Sequence, residues 1–154
     1  MVLNRQRRTR LALQPLATFS ERVRRELGFP PDSVTICFVS DPAIARMNHK
    51  FRNKPGATDV LSFSAKSARI RNRRAAHLHD VGKAGVDGNE YVGDIVISPE
   101  TAGRYARKHC RRLSTELRVL ILHGMLHLAG YDHEVDDGEM TRLERRLRRR
   151  LGLR

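Results

Sequence analysis

Apolar residues along the chain gather in short runs rich in β-branched and aromatic side chains, separated by longer segments whose apolar positions share one side. The runs SVTICFVS (33–40), TDVLSFS (58–64) and YVGDIVIS (91–98) predict strands, and residues 2–6 predict a further one. A helix is expected from Thr18, with Glu21 completing a capping box, to Gly28 before Pro30 and Pro31. Asp41 is placed as the cap of a second helix with Pro42 at its first position, carrying Ile44, Met47 and Phe51 on one face and ending near RNKPG. Ser98 and Pro99 open a third helix that runs to about Cys110. Ser114 opens a fourth, with Leu113, Leu117, Leu120, Ile121 and Leu128 available for burial and Gly130 as a left-handed stop. A final helix, roughly 137–151, sets Met140, Leu143, Leu147 and Leu151 on one stripe.

The elements mix without strict strand–helix alternation. The expected class is therefore α+β: one domain, a mixed and mostly four-stranded sheet, and about five helices. A length of 154 residues suits one core. Residues 65–90 are polar, rich in Gly and Arg and without periodicity, and are expected to form a long basic loop.

Charge changes the picture. Thirty Lys and Arg against seventeen Asp and Glu leave a formal net charge of +13. The excess is concentrated in RQRRTR, RIRNRR, KHCRR and RLERRLRRR, and it favours polyanionic partners, nucleic acid first. An aromatic content of 5% argues against a base-stacking platform of the RRM or OB type. The basic N-terminus lacks the uninterrupted apolar stretch of a signal peptide, and the longest apolar run is too short to span a bilayer. Cys37 and Cys110 have no CxxC partner and read as idle thiols in a reducing compartment.

The chemistry lies in HGMLHLAGYDH (123–133). His123 and His127 stand four apart on a predicted helix, so their side chains leave one face one turn apart. Gly130 turns the chain so that His133 can close on the same ion. Three imidazoles suit zinc and leave a fourth position open, which is the pattern of a catalytic rather than a structural site. The spacing is that of the metzincin metalloproteases, yet Gly124 stands where those enzymes place their glutamate base. His49, His77, His79 and His109 lack companion ligands and are read as non-ligands. Asp132 either orients a ligand histidine or faces solvent. Asp59 and Asp94 are either proton acceptors or strand-edge caps.

HGMLHLAGYDH closely resembles the signature of the YbeY family of bacterial endoribonucleases and rRNA maturation factors. MNHKFRNKPGATDVLSFS is similar to the family segment in which a short helix bearing an arginine leads into a T-D-V-L-S-F strand, and GDIVIS resembles its next strand. The likeness runs from about Ala17 to Leu151. It implies one Zn2+ per chain held by His123, His127 and His133, with Arg52 and His123 as the catalytic residues. It also implies a cytoplasmic enzyme cleaving single-stranded RNA, the 16S rRNA precursor, with the small ribosomal subunit or its proteins as partners. In such chemistry zinc and an arginine fork can meet the charge that develops on a phosphodiester, which would explain a missing glutamate. Whether the 2′-hydroxyl or water attacks is open. The rival readings are a non-catalytic assembly factor with a structural zinc and a metalloprotease whose base lies elsewhere.

Overall fold

Along β2 (Val34–Phe38) and β4 (Gly93–Ile97) successive side chains point to opposite faces of one sheet, and this alternation sorts the core into two layers. The computed structural model describes residues 1–65, 91–132 and 137–153. Its four strands, β1 (Val2–Asn4), β2, β3 (Val60–Ser64) and β4, lie in the order β1-β2-β4-β3. The first three neighbours run parallel, with Val2 beside Ile36 and Ile36 beside Ile95. β3 closes the edge antiparallel to β4, with Ser62 beside Ile95. Among the described residues there are five helices: α1 (Leu13–Glu26), α2 (Asp41–Arg52), α3 (Pro99–Lys108), α4 (Leu113–Leu128) and α5 (Glu139–Arg150). The single-domain α+β architecture with a mixed four-stranded sheet is the one expected, although each strand is shorter than its apolar run.

On one face Val34, Ile36, Phe38, Ile95 and Ile97 meet α1, α3, α4 and α5 through Leu16, Phe19, Val23, Ala102, Leu117, Ile121, Met125, Met140 and Leu147. On the other, among the described elements, α2 lays Ile44 onto Leu61, Val96 and Val39. β4 is therefore buried on both sides, which is why GDIVI reads as a nearly continuous apolar run. α4 is central: ten of its sixteen residues are buried, and it touches β3, β4, α1, α3 and α5.

Two expected helix starts are corrected. α1 begins at Leu13, not Thr18, with Ala12 as a cap that makes no side-chain bond. Pro15 is tolerated because the first-turn amides have no partner inside the helix. Thr18 Oγ1 instead donates to Gln14 O at 3.1 Å within the helix, and Glu21 accepts from Arg24 Nε at 2.7 Å. Burial of the stripe Leu16, Phe19 and Val23 outweighs the local capping signal. In α2 the cap is Ser40, and Asp41 is the first helical residue. Phe51 is 45% exposed, set edge-on to Phe63 with ring centroids 5.1 Å apart.

Asp41 ties the two faces together. Its carboxylate accepts from Ser98 Oγ, from Thr101 Oγ1 at 2.7 Å and from Arg104 Nη2 at 2.7 Å, all at the start of α3. Burial raises this carboxyl, but the three hydrogen bonds and the Arg104 charge outweigh it and hold it below the ordinary value. A carboxyl whose folded pKa is depressed stabilises the fold above its unfolded pKa, about 3.9, and loses that contribution as pH falls through the folded value. Asp41→Ala is expected to lower unfolding free energy at pH 7 by about 1–3 kcal/mol, since two buried hydroxyls lose their acceptor. The difference between urea melts of the two proteins should shrink as pH falls below about 3.9. A difference as large there as at pH 7 would show that the carboxylate charge is not involved.

Candidate functional site

Between residues 121 and 128 of α4 every side chain is buried except His123 and His127, which are half-buried. The helix thus opens a two-histidine notch in a wall that is otherwise packed. Spacing of one turn stacks the rings: their centroids are 4.7 Å apart, at 80° to each other, and their Nε2 atoms lie 3.1 Å apart. α4 then ends at Leu128 with Ala129 as its cap, and Gly130 takes φ +96, the left-handed conformation expected there. His133 lies outside the described residues, as do residues 66–90 and with them His77 and His79.

A residue that sequence reasoning missed sets the chemistry of the pair. Glu144, on α5, places Oε2 3.1 Å from His123 Nδ1, and Arg148 holds its Oε1 from one turn further along. Burial raises the Glu144 carboxyl. The hydrogen bond with His123 and the Arg148 charge outweigh burial and lower it, so it is ionised at neutral pH. An ionised carboxylate only accepts, so His123 Nδ1 donates to Glu144, and the Nε2 edge of the ring is the one turned towards His127. The motif signalled the histidines, whereas in LERRLRRR only the four-residue spacing of Glu144 and Arg148 was visible, and it reads as a surface ion pair.

This donor set fits a zinc ion. Two nitrogens bound tetrahedrally at about 2.0–2.1 Å stand roughly 3.3 Å apart, close to the spacing seen. A carboxylate on the far nitrogen of a ligand histidine is the usual companion of such a bond. Among the described residues no third His, Cys, Asp or Glu joins the pair in a metal-holding group.

Beside His123 opens a cleft of about 290 Å³ lined by Asp59, Tyr105, His109, Arg111, Glu116 and Arg148, among others. Glu116 is 7% exposed and faces Arg111 at 3.6 Å. His109, read as a non-ligand, stacks on Tyr105 with centroids 6.1 Å apart. Asp59 Oδ1 accepts from Val60 N at 2.8 Å and so caps the start of β3, while its side chain borders the cleft. Asp94 is not brought to the site: it binds Tyr91 Oη at 2.6 Å and shares the sheet face of Val96, away from α4. Cys37 is partly buried, which pushes its thiol up, and both cysteines are free.

Arg52 ends α2 on the opposite sheet face and is exposed. It does not line the cleft beside His123. Its neighbour Phe51 packs on Phe63, and Ser62, the residue before, donates to Gly124 O at 3.3 Å on the other face. Edge strand β3 therefore stands between the end of α2 and the histidine helix, flanked by both.

Gly124 is explained by packing. A Cβ there would lie 2.8 Å from Ile95 Cγ2, 3.1 Å from Ile95 Cδ1 and 3.1 Å from Ser62 Oγ. The side of α4 that carries a protease's base is pressed against the sheet, so no glutamate fits. The room that glycine leaves is taken by Ile95 and Ser62.

A mixed sheet thus carries on one face a helix with two converging imidazoles, backed by a carboxylate and edged by basic residues, with no glutamate after the first histidine. The chain matches the model of the family Endoribonuclease YbeY over residues 3–152. It is 39% identical over 153 residues to Endoribonuclease YbeY of Koribacter versatilis, covering 99% of this chain and 86% of that protein. It is 36% identical to the Solibacter usitatus protein of the same name, covering 88% and 76%. The solution structure of TM1509 from Thermotoga maritima matches with a TM-score of 0.58 at 25% identity, covering 98% of this chain and 89% of that one. The chain belongs to the endoribonuclease YbeY family.

Gly124→Ala tests the packing account. Alanine favours helix by about 1 kcal/mol over glycine, but forcing a methyl onto Ile95 costs about 1–3 kcal/mol. The melting temperature should fall, and Gly124→Glu should fall much further or fail to fold. A more stable Gly124→Ala protein would show that α4 can retreat from the sheet at no cost.

Proposed function

We propose that the protein is a zinc-dependent endoribonuclease that cleaves single-stranded RNA in the cytoplasm, acting on the 3′ end of the 16S rRNA precursor and in ribosome quality control. One Zn2+ per chain would be held by His123, His127 and His133. The observation that carries this reading is the convergence of the His123 and His127 Nε2 atoms, with His123 Nδ1 fixed on Glu144, in a chain of the YbeY endoribonuclease family. The net charge of +13 supports an RNA partner, and the resemblance of the histidine signature supports the ribosomal substrate.

When bound, zinc supplies a Lewis acid for a phosphoryl oxygen and lowers the pKa of a coordinated water towards about 7. The chain's own groups do the rest. Glu144 holds the His123 ring by its Nδ1 proton and turns its Nε2 edge towards His127. Arg52 offers a planar fork to two phosphate oxygens, which suits the charge that gathers on a phosphodiester in its transition state. A strand crossing edge strand β3 would meet Arg52 from one side and the histidine pair from the other. Gly124 contributes by letting α4 lie close to β3, which narrows that crossing.

Two experiments test the reading. Purified protein should carry close to one zinc per chain, His127→Ala should lose it, and Glu144→Ala should bind it roughly 10–100-fold more weakly while still folding. Full zinc retention in His127→Ala sinks the ligand assignment. Single-turnover cleavage of a single-stranded RNA at saturating enzyme should fall about 10²-fold or more in Arg52→Ala, with zinc content and melting temperature unchanged. Arg52→Lys should restore it only in part, because a point charge lacks the fork. Wild-type cleavage in Arg52→Ala removes the arginine from the mechanism. No cleavage by zinc-loaded wild type would favour a non-catalytic assembly factor.

A further inference from the structure

α5 has two sides with different work. At 100° per residue, Met140, Leu143, Glu144 and Leu147 turn inward, and Met140 and Leu147 are 1% and 5% exposed. Arg142, Arg145, Arg146 and Arg149 occupy roughly 100° of arc on the opposite side, and all four are exposed. Arg142 donates to the Asp137 carbonyl at 2.9 Å. Among the described residues no carboxylate pairs with Arg145, Arg146 or Arg149. These guanidiniums stand three and four residues apart, where like charges repel. Arg148, between this face and the inward one, borders the cleft beside His123. On the far flank Arg150 Nε meets Glu26 Oε2 at 3.3 Å, which brings α1 and its exposed Arg22 and Arg25 alongside.

We propose that the outer face of α5, through Arg145, Arg146 and Arg149, is the track along which the phosphate backbone of an RNA strand leaves the cleft. The proposal rests on the RNA reading above and adds where the strand lies. Arg149 stands one turn, about 5–6 Å along the helix, beyond the adjacent pair Arg145 and Arg146, a rise close to the spacing of phosphates on an extended strand. Arg148 makes the face continuous with the cleft at His123, whereas among the described residues no arginine of the N-terminal segment or of α2 lines that cleft. A polyanion laid on this face relieves the repulsion that no carboxylate of the described chain relieves. An anionic vesicle offers the same charge, but a flat surface of phosphates has no reason to follow Arg148 into a cleft.

The test is RNA affinity against salt. A single-stranded oligonucleotide of about twenty residues is titrated with zinc-loaded protein between 50 and 300 mM salt, conditions that bracket a Debye length of about 8 Å. Each phosphate contact on a single strand contributes roughly 0.7 to the slope of log K against log salt. Arg145→Gln, Arg146→Gln and Arg149→Gln together should lower that slope by about two and weaken binding at least tenfold at 100 mM salt. Glutamine keeps the helix, and a circular dichroism melt verifies it. The comparison protein carries Arg7→Gln, Arg10→Gln and Arg46→Gln, the same change in net charge elsewhere on the exposed surface, and should keep the wild-type slope. Equal losses in both triple variants would overturn the track, because net charge alone would then govern binding. So would an α5 variant that keeps wild-type affinity for RNA but loses binding to vesicles containing phosphatidylserine. Absence of RNA binding by the wild-type protein would bring down the RNA reading itself, a result separate from either of these.

Discussion

The close contact of α4 with the sheet at Gly124 governs the rest of the structure. With no side chain there, the helix backbone settles onto Ile95 and within reach of Ser62 Oγ, whose hydrogen bond to Gly124 O links it to edge strand β3. That contact fixes the rotation of α4 about its axis. His123 and His127 then fall in the only half-buried positions between 121 and 128, open on the side where α5 supplies Glu144. A helix held further off would turn differently, and the same two histidines would face either the sheet or bulk water. The residue that looks like a missing catalytic group is thus what seats the histidine helix. The absence of a glutamate is a packing requirement before it is a matter of mechanism.

Much of this was legible in the sequence, and what was not has physical reasons. The strands, the five helices and the left-handed stop at Gly130 follow from apolar periodicity and turn chemistry, both of which are local. The convergence of the two histidines was readable because four-residue spacing on a helix is also local. The start of α1 was misplaced because Thr18 and Glu21 carry a real capping signal that burial of Leu16 and Phe19 overrides, and burial depends on partners that no local window contains. Asp41 shows the same limit. Its sequence position signals a cap, but its carboxylate serves Ser98 and Thr101, brought beside it only by the parallel pairing of β2 with β4.

Glu144 was hidden for a further reason. Its helix is so arginine-rich that a glutamate four residues before Arg148 reads as a surface pair, worth a few tenths of a kcal/mol. In the fold the same pair is half enclosed. With the His123 hydrogen bond, the Arg148 charge lowers a carboxyl that burial raises, and that carboxylate holds the ring of His123 by Nδ1. Charge patterning alone does not distinguish these two roles. The distinction lies in which face of α5 meets α4, and that is set by Met140 and Leu147 entering the core.

α5 therefore joins three scales of the protein. Its apolar stripe closes the core over α1 and α4, its flank carries the pair that fixes His123, and its outer face holds exposed arginines. Because one helix carries all three, their relative positions are rigid. A phosphate held on the outer face would stand at a set offset from the histidine notch, with no loop between them to absorb error. Pre-organisation of this kind lowers the ordering cost of binding. It also places the demand for basic residues where they cost the core nothing, since the arginines that crowd the outer face leave the inward stripe of α5 apolar except for the one glutamate the site uses.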